Sequence, residues 1–295
     1  MVERAEHLRQ RLEAAGYICP PQLEVTAFLA LRLEKPLLVE GPAGAGKTQL
    51  AVALSSALDA ELIRLQCYEG LDQTHALYEW NYHKQILRLQ NDRWRGAAWS
   101  EVQEHLFSPE FLLERPLLRA LTAEQRAVLL IDEVDKADEE FEAFLLEFLG
   151  EFQVTIPEFG CVRARHRPAV VLTSNRTREL SEALKRRCLY LYLDFPSVEL
   201  ERKILRQQVP DLNDVLREHV VRFVHAVRQL QVRKHPSVAE AIDWARALAA
   251  LDIRELHDPR VRQTLGALLK HDEDLTAVEQ RYPSLLAAAQ RSSRN

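Results

Sequence analysis

The sequence predicts an α/β fold class, with a P-loop core in which helices sandwich a parallel sheet and a C-terminal all-helical lid. Three short apolar runs, at residues 36–40, 128–131 and 169–173, are typical of parallel strands that are buried on both faces. A glycine-rich turn and then a helical pattern follow the first run, which is the order found in phosphate-binding domains. Beyond Pro196 the apolar spacing is helical, so we expect two domains, 1–195 and 196–295.

The glycine-rich turn reads Gly-Pro-Ala-Gly-Ala-Gly-Lys-Thr over residues 41–48 and matches the pattern G-x-x-x-x-G-K-[ST]. Its glycines let the backbone turn tightly and aim N–H groups at phosphate oxygens. Lys47 offers a cation to β- and γ-phosphates, and the Thr48 hydroxyl can bind Mg²⁺. A chance match is disfavoured because a predicted strand and helix flank the turn. The predicted nucleotide-binding residues are Gly41, Pro42, Ala43, Gly44, Ala45, Gly46, Lys47, Thr48 and Gln49.

Two acids, Asp132 and Glu133, follow the apolar run at residues 128–131. An acid at the carboxyl end of a strand beside a P-loop holds Mg²⁺, so Thr48 and Asp132 form the predicted metal site. Glu133 is placed to polarise the water that attacks the γ-phosphate. Solvated acids at a strand end are the alternative, which the upstream P-loop makes the weaker one.

Polar residues also follow the third apolar run. Asn175 comes just after that run and is a catalytic candidate, because its amide can hydrogen-bond the attacking water or the γ-phosphate. Arg186 and Arg187 precede a strand-like alternation at residues 189–193 and are candidates to face the phosphates of a neighbouring subunit. A solvated basic turn is the alternative for these two arginines, and their spacing alone favours it.

The composition is that expected of a cytoplasmic protein without a membrane segment. The formal net charge is −5 and the isoelectric point is about 6.1, so no general basic field indicates a nucleic-acid partner. The four cysteines lie far apart without a Cys-x-x-Cys pair, which argues against a zinc site and a disulfide framework. The first residues are charged rather than apolar, and no apolar run reaches the roughly 18 residues of a spanning helix.

The order of these motifs resembles that of the AAA+ ATPases: a P-loop, an Asp-Glu strand, a strand-ending Asn, paired arginines and a helical tail. More narrowly, several blocks resemble the MoxR family, and within it the carbon monoxide dehydrogenase accessory (CoxD-like) branch. The blocks that carry this resemblance are residues 65–72, 78–82, 130–137, 152–158 and 172–180. The resemblance spans about residues 15–280.

The resemblance implies an ATPase with ATP and Mg²⁺ as cofactors, in which Asn175 is a sensor. Arg187, with Arg186 close behind it, best matches the finger that reaches the γ-phosphate of the next subunit. The implied partners are further copies in a ring, taken as a hexamer, a protein client and a protein with a von Willebrand factor A domain. The implied activity is chaperone-like remodelling during maturation of a metalloenzyme, such as a molybdenum hydroxylase or carbon monoxide dehydrogenase.

One departure from the family pattern lies in the helical tail. Many MoxR-like proteins carry an arginine at the start of a lid helix, where it senses the γ-phosphate of its own subunit. Ser237 stands at that position here. With Glu240 three residues later, Ser237 predicts a helix N-cap and a capping box.

The resemblance also implies two additions to the minimal core, a helix insertion at about residues 68–107 and a hairpin before the sensor strand at about residues 152–167. We hypothesise that both face the ring centre and contact the client. For any one aromatic residue of the segment 68–82, packing into the core is an alternative at least as favoured. The residues on which the hypothesis rests are Tyr68, Tyr78, Trp80, Tyr82, Glu158 and Phe159.

Two other function classes remain open at this point. An AAA+ ATPase acting on DNA would use the basic residues of the hairpin, although the acidic net charge and the MoxR-like blocks make nucleic acid an unfavoured partner. Those basic residues are Arg163, Arg165, His166 and Arg167, for which a solvated turn is the simpler interpretation. A P-loop kinase or GTPase would not need the helical tail, and the sequence has no Asn-Lys-x-Asp guanine signature.

Overall fold

Five parallel strands form the main sheet of the protein, for which a computed structural model describes residues 4–95, 106–157 and 159–290. Up to residue 192 the elements are α1 (Ala5–Ala14), α2 (Pro21–Arg32), β1 (Leu37–Glu40), α3 (Lys47–Leu58), β2 (Leu62–Gln66), α4 (Gln73–Leu77), β3 (Tyr78–Trp80), α5 (Tyr82–Arg95), β4 (Leu112–Glu114), α6 (Pro116–Thr122), β5 (Val128–Asp132), α7 (Glu139–Glu151), β6 (Gln153–Ile156), β7 (Gly160–Arg163), β8 (Ala169–Ser174), α8 (Glu182–Arg187) and β9 (Leu189–Tyr192). After them come α9 (Val198–Gln208), α10 (Asp214–Arg228), α11 (Val238–Ala250), α12 (Leu265–Leu268) and α13 (Asp272–Gln290).

The strand order of the main sheet is β2-β5-β8-β1-β9, and every neighbouring pair is parallel. The three strands predicted from continuous apolar runs, β1, β5 and β8, lie inside the sheet and are buried at every residue. The predicted α/β class with helices around a parallel sheet is therefore confirmed. Because the three inner strands are parallel neighbours, their last residues, Glu40, Asp132 and Ser174, share one edge of the sheet.

The outer strand β2 has a different burial pattern. Ile63 and Leu65 are buried, whereas Arg64 and Gln66 are exposed. This alternation arises because successive side chains of a strand point to opposite faces of a sheet. The two polar residues of β2 therefore share a face, at the carboxyl edge beside β5.

The predicted hairpin is present as the antiparallel pair β6–β7, with Ile156 opposite Gly160. One face of this hairpin belongs to the core, because Val154 and Ile156 are buried. Phe159 is partly buried and packs against the same cluster, which favours a packing role for this tip residue, and its contact with a client stays a hypothesis. The other predicted tip residue, Glu158, lies outside the described residues.

The helix insertion begins with α4, β3 and α5, and β3 pairs antiparallel with β4. Its aromatic residues divide into two kinds. Trp80 is buried, and its ring meets Phe107 and Tyr78 edge to face at centroid distances of 5.2 Å and 6.1 Å. Tyr68 and Tyr82 are exposed. Trp80 therefore has a packing role, and the client hypothesis is left with the two exposed tyrosines.

The chain divides into two units, the first formed by Met1–Gly41 and Lys47–Tyr192 and the second by Pro42–Gly46 and Leu193–Asn295. An aromatic cluster lies at the centre of the second unit. The Phe223 ring lies 5.2 Å from that of Trp244 and 5.6 Å from that of Tyr282, between centroids. The Trp244 indole N–H donates to Thr264 Oγ1 at 2.8 Å, so this buried ring also has its polar atom satisfied.

Within the described ranges, no helix is both long and apolar enough to cross a membrane. All four cysteines are free, and Cys161 on β7 is exposed while the other three are buried. The same part of the chain contains no group of three or more His, Cys, Asp or Glu side chains that could hold a metal ion.

Candidate functional site

The glycine-rich turn joins β1 to α3. Gly41, Gly44 and Gly46 have φ angles of 155°, 75° and 97°, values that residues with a side chain rarely adopt. Helix α3 begins at Lys47, so the turn leads directly into a helix N-terminus, where exposed N–H groups favour an anion. The local backbone of this turn therefore fits bound phosphates.

Gly44 lies against Ser237 within the second unit. The Val238 N–H donates to the Gly44 carbonyl at 3.3 Å, and a Cβ added to Gly44 would overlap the Ser237 side chain. Ser237 caps α11, because its hydroxyl accepts the Glu240 N–H at 3.2 Å and the Glu240 carboxylate accepts the Ser237 N–H at 2.7 Å. The predicted capping box at Ser237 is thus confirmed.

We expect Gly44→Ala to lower the Tm by roughly 3–6 °C, because a positive φ costs a side-chain residue about 1–2 kcal/mol and the methyl group also meets Ser237. Thermal unfolding followed by circular dichroism measures the change. The double variant Gly44→Ala/Ser237→Gly removes the overlap and should recover part of the loss. Gly266→Ala is the control, since Gly266 has open space around it within α12 and should tolerate the methyl group. Equal Tm values for Gly44→Ala and the wild type would contradict the close packing.

Lys47 is buried at the start of α3. Its ammonium donates to the Gly41 carbonyl at 2.7 Å and to Asn175 Oδ1 at 2.8 Å. Burial lowers the pKa of Lys47, and the nearby carboxylates of Asp135, Asp132 and Glu133 oppose that effect. The predicted phosphate-binding cation is thus joined directly to the predicted sensor.

The predicted metal pair is in contact. Thr48 Oγ1 donates to Asp132 Oδ1 at 3.1 Å, and the Asp132 side chain is only 2% exposed. Thr173 on β8 also donates to Asp132 Oδ1, at 2.5 Å, and accepts the Glu133 N–H at 2.9 Å. A hydroxyl and a carboxylate are the hard oxygen ligands that Mg²⁺ binds together with phosphate, so these residues fit Mg²⁺.

Glu133 follows β5 with a φ of 56°, a left-handed conformation that costs a non-glycine residue about 1–3 kcal/mol. Three donors hold its carboxylate. Gln66 Nε2 and Lys136 Nζ lie 2.9 Å and 2.6 Å from Oε2, and Asn175 Nδ2 lies 3.3 Å from Oε1. The strained backbone turns this carboxylate toward the edge of the sheet where the other predicted site residues lie.

Asn175 lies on a turn after β8 that Asp135 holds in place. The buried Asp135 carboxylate accepts the N–H groups of Asn175 at 3.1 Å and Thr177 at 2.9 Å, and the Thr177 hydroxyl at 2.6 Å. Burial alone would raise the pKa of Asp135, but these hydrogen bonds outweigh burial and keep the pKa below its usual value. Arg176 has a φ of 59° in this turn. Asp135 therefore positions the amide that contacts both Lys47 and Glu133.

The structure adds site residues that the sequence interpretation missed. Arg64 and Gln66 reach the acid pair from β2, where Arg64 Nη2 lies 2.5 Å from Asp132 Oδ2 and Gln66 donates to Glu133. Thr173, Asp135 and Lys136 complete the set. The alternation of β2 was the available signal, since it places two polar residues on one face of a strand beside β5.

The predicted arginine pair forms the last two residues of α8, and both side chains are exposed. The Arg187 guanidinium lies across Gly150, close enough that a methyl group on Gly150 would overlap it. Among the described residues, neither Arg186 nor Arg187 forms a hydrogen bond or ion pair with the predicted phosphate, metal or acid residues. Five other predicted site residues, Lys47, Thr48, Asp132, Glu133 and Asn175, lie together within the first unit.

A P-loop between a parallel strand and a helix, an Asp-Glu pair at the end of another strand of the same sheet and a C-terminal set of helices define a P-loop ATPase of the AAA+ class. The sequence profile of the AAA domain (dynein-related subfamily) matches residues 36–188, more than half of the 295 residues. The chain belongs to that family.

The chain is also similar to curated proteins and, in its fold, to solved structures. An uncharacterized protein of Staphylococcus haemolyticus is 24% identical over 235 residues, which cover 76% of this chain and 78% of the relative. An uncharacterized protein of Staphylococcus aureus is 26% identical over the same length and the same shares. A single-residue variant of Thermotoga maritima RuvB is similar in fold, with a TM-score of 0.52, 20% identity and coverage of 96% of this chain and 80% of that chain.

Proposed function

We propose that this AAA+ protein is a MoxR-like chaperone that hydrolyses ATP to remodel a protein client during maturation of a metalloenzyme. The observation that carries the proposal is the cluster of Lys47, Thr48, Asp132, Glu133 and Asn175 within the first unit, together with exposed apolar residues on the helix insertion that take no part in this cluster. The resemblance to the carbon monoxide dehydrogenase accessory branch supports the metalloenzyme as the end product.

The arrangement supports hydrolysis in a direct way. Lys47 is placed to bind the β- and γ-phosphates, and Thr48 and Asp132 are placed to hold Mg²⁺, which neutralises phosphate charge when it is bound. Glu133 accepts the proton of the attacking water. Asn175 hydrogen-bonds both Lys47 and Glu133 and so fixes the positions of these two side chains relative to each other. Positioning and electrostatic stabilisation are the main requirements of phosphoryl transfer, and this set of side chains supplies both.

The surface that we assign to the client is the exposed apolar face of α5, defined here as Tyr82, Ile86 and Leu87. Their exposed fractions are 61%, 53% and 66%. Residues spaced by four on a helix lie on one side, so Tyr82 and Ile86 are neighbours. Leu87 follows Ile86 about 100° further round the helix and widens the exposed apolar surface. An aromatic and two aliphatic side chains are suited to hold unfolded or partly folded apolar segments.

We expect the double variant Tyr82→Ser/Leu87→Ser to keep the basal ATPase rate within about twofold, because neither residue touches the hydrolysis site, while client-stimulated ATPase falls to the basal rate. Stimulation is measured with a reduced, unfolded model protein and with the purified apo form of a molybdenum hydroxylase. Val215→Ser is the control, since Val215 is an equally exposed apolar residue, at 66%, on α10.

The outcome separates a client surface from a packing role. If the double variant loses basal ATPase or its Tm falls by more than a few degrees, the α5 face packs against other parts of the chain and the assignment fails. If stimulation persists at the wild-type level, the client binds elsewhere, and the exposed face of the β6–β7 hairpin becomes the next surface to test.

The maturation step has its own experiment. A carbon monoxide dehydrogenase is co-produced with the wild-type chain, with Glu133→Gln or with no chain, and in each case with and without a von Willebrand factor A domain protein encoded near it. The proposal expects active enzyme only with the wild-type chain. Equal specific activity in all samples, alongside normal ATPase activity of the purified chain, would refute the maturation role and leave the ATPase assignment intact.

A further inference from the structure

Arg64 is a cation that motif comparison does not assign to the site. It lies on the outer strand β2, and its side chain is 52% exposed. Its Nη2 atom is nevertheless 2.5 Å from Asp132 Oδ2 and 2.6 Å from Gln66 Oε1. The guanidinium therefore forms a charge-assisted contact with the carboxylate that is placed to hold Mg²⁺.

The surrounding charges explain why this contact forms. Asp132 is nearly inaccessible, and a buried carboxylate is costly unless a cation or several donors compensate it. Thr48 and Thr173 supply neutral donors to Asp132. Lys47, which donates to Gly41 and Asn175, also acts electrostatically on Asp132, and Lys136 pairs with Glu133. Arg64 supplies a positive charge in direct contact with the Asp132 carboxylate, at 2.5 Å.

The contact also has a consequence for the metal. The Arg64 guanidinium and a divalent ion held by Thr48 and Asp132 would both contact the Asp132 carboxylate. Two positive charges so close together repel each other. Arg64 can move, because it lies on an edge strand with half of its side chain in solvent. Asp132 cannot, because it is buried between β2 and β8.

We propose that Arg64 is a positioning residue that competes with Mg²⁺ for the Asp132 carboxylate, so that Mg²⁺ arriving with nucleotide displaces it. The Arg64–Asp132 contact and metal binding are then alternatives. The contact holds the buried carboxylate in place until the metal takes over, and it lowers the affinity of the site for the metal. The inference rests on the nucleotide site described above and adds to it a residue that sets how strongly nucleotide binding depends on Mg²⁺.

Nucleotide binding tests this without any turnover. The affinity for MANT-ADP is measured by fluorescence in excess EDTA and in saturating Mg²⁺. The readout is the affinity in Mg²⁺ divided by the affinity in EDTA. We expect Arg64→Gln to raise this ratio by roughly fivefold or more, because removing the competitor strengthens metal binding while the bare Asp132 carboxylate repels metal-free nucleotide. Arg64→Met should behave in the same way, and Arg64→Lys, which keeps the charge, should stay near the wild-type ratio.

Arg119→Gln is the matched control, because Arg119 also forms an ion pair in the first unit, but its exposed partner is Glu61 and not one of the acid pair. Its ratio should equal that of the wild type. An unchanged or lowered ratio in Arg64→Gln would overturn the proposal. That result is expected if Arg64 is instead a fixed structural residue or a direct phosphate ligand, because its loss would then weaken nucleotide binding in Mg²⁺. If the wild type binds no nucleotide in either condition, the nucleotide site itself is wrong, which is a different and separately visible failure.

Discussion

Glu133→Gln should bind ATP as well as the wild type and hydrolyse it at least about 10²-fold more slowly, as expected when a general base is lost. The amide has the shape of the carboxylate and can still meet Gln66 and Asn175, so the local structure persists. It cannot take the proton of the attacking water. Single-turnover hydrolysis of radiolabelled ATP measures the rate, and equilibrium binding of MANT-ATP measures the affinity.

Lys47→Ala is the companion variant and should lose nucleotide binding as well as turnover. The Lys47 ammonium lies between Gly41 and Asn175, at the place where phosphate charge must be met. The two variants therefore separate binding from chemistry. A Glu133→Gln protein that hydrolyses ATP at the wild-type rate would show that another group activates the water.

Arg187→Ala should reduce ATP turnover by about 10³-fold or more if this residue is a finger acting on the next subunit, which is the range known for such arginines. The side chain is exposed on α8. In the described part of the chain it forms no hydrogen bond or ion pair with Lys47, Asp132 or Glu133 of its own subunit, as expected of a residue whose target lies in another subunit. Steady-state ATPase activity measured against protein concentration should rise steeply, because dilution separates the finger from its target.

Mixing experiments identify the subunit on which Arg187 acts. Arg187→Ala subunits have a complete binding site, whereas Lys47→Ala subunits keep the arginine, so a mixture should regain activity that neither variant has alone. Glu133→Gln subunits serve as a second donor that retains nucleotide binding. Arg186→Ala is the matched control, an adjacent exposed arginine for which we expect a loss below about tenfold. Turnover that is independent of concentration, with no recovery on mixing, would refute a trans role and with it the main argument for a ring.

The sequence predicted the structure correctly where a local pattern has only one physical explanation. Continuous apolar runs located β1, β5 and β8, because only strands covered on both faces need such runs. The capping box at Ser237 followed from spacing alone, since both of its hydrogen bonds span three residues. Patterns with two physical explanations were less informative: the aromatic residues of the insertion read equally well as core or as surface.

Sequence by itself determined the parallel α/β class, the P-loop and the Asp-Glu pair, because each is a contiguous motif whose backbone conformation depends on nearby residues. Tertiary structure alone decided the contacts between distant strands. Arg64 and Asp132 are 68 positions apart and meet because β2 and β5 pair in register, and Asp135 reaches Asn175 across 40 positions because β5 and β8 are neighbours. A polar residue on an edge strand looks like a solvated side chain until the adjacent strand is known, since strand pairing and not local pattern brings its partner within hydrogen-bond distance.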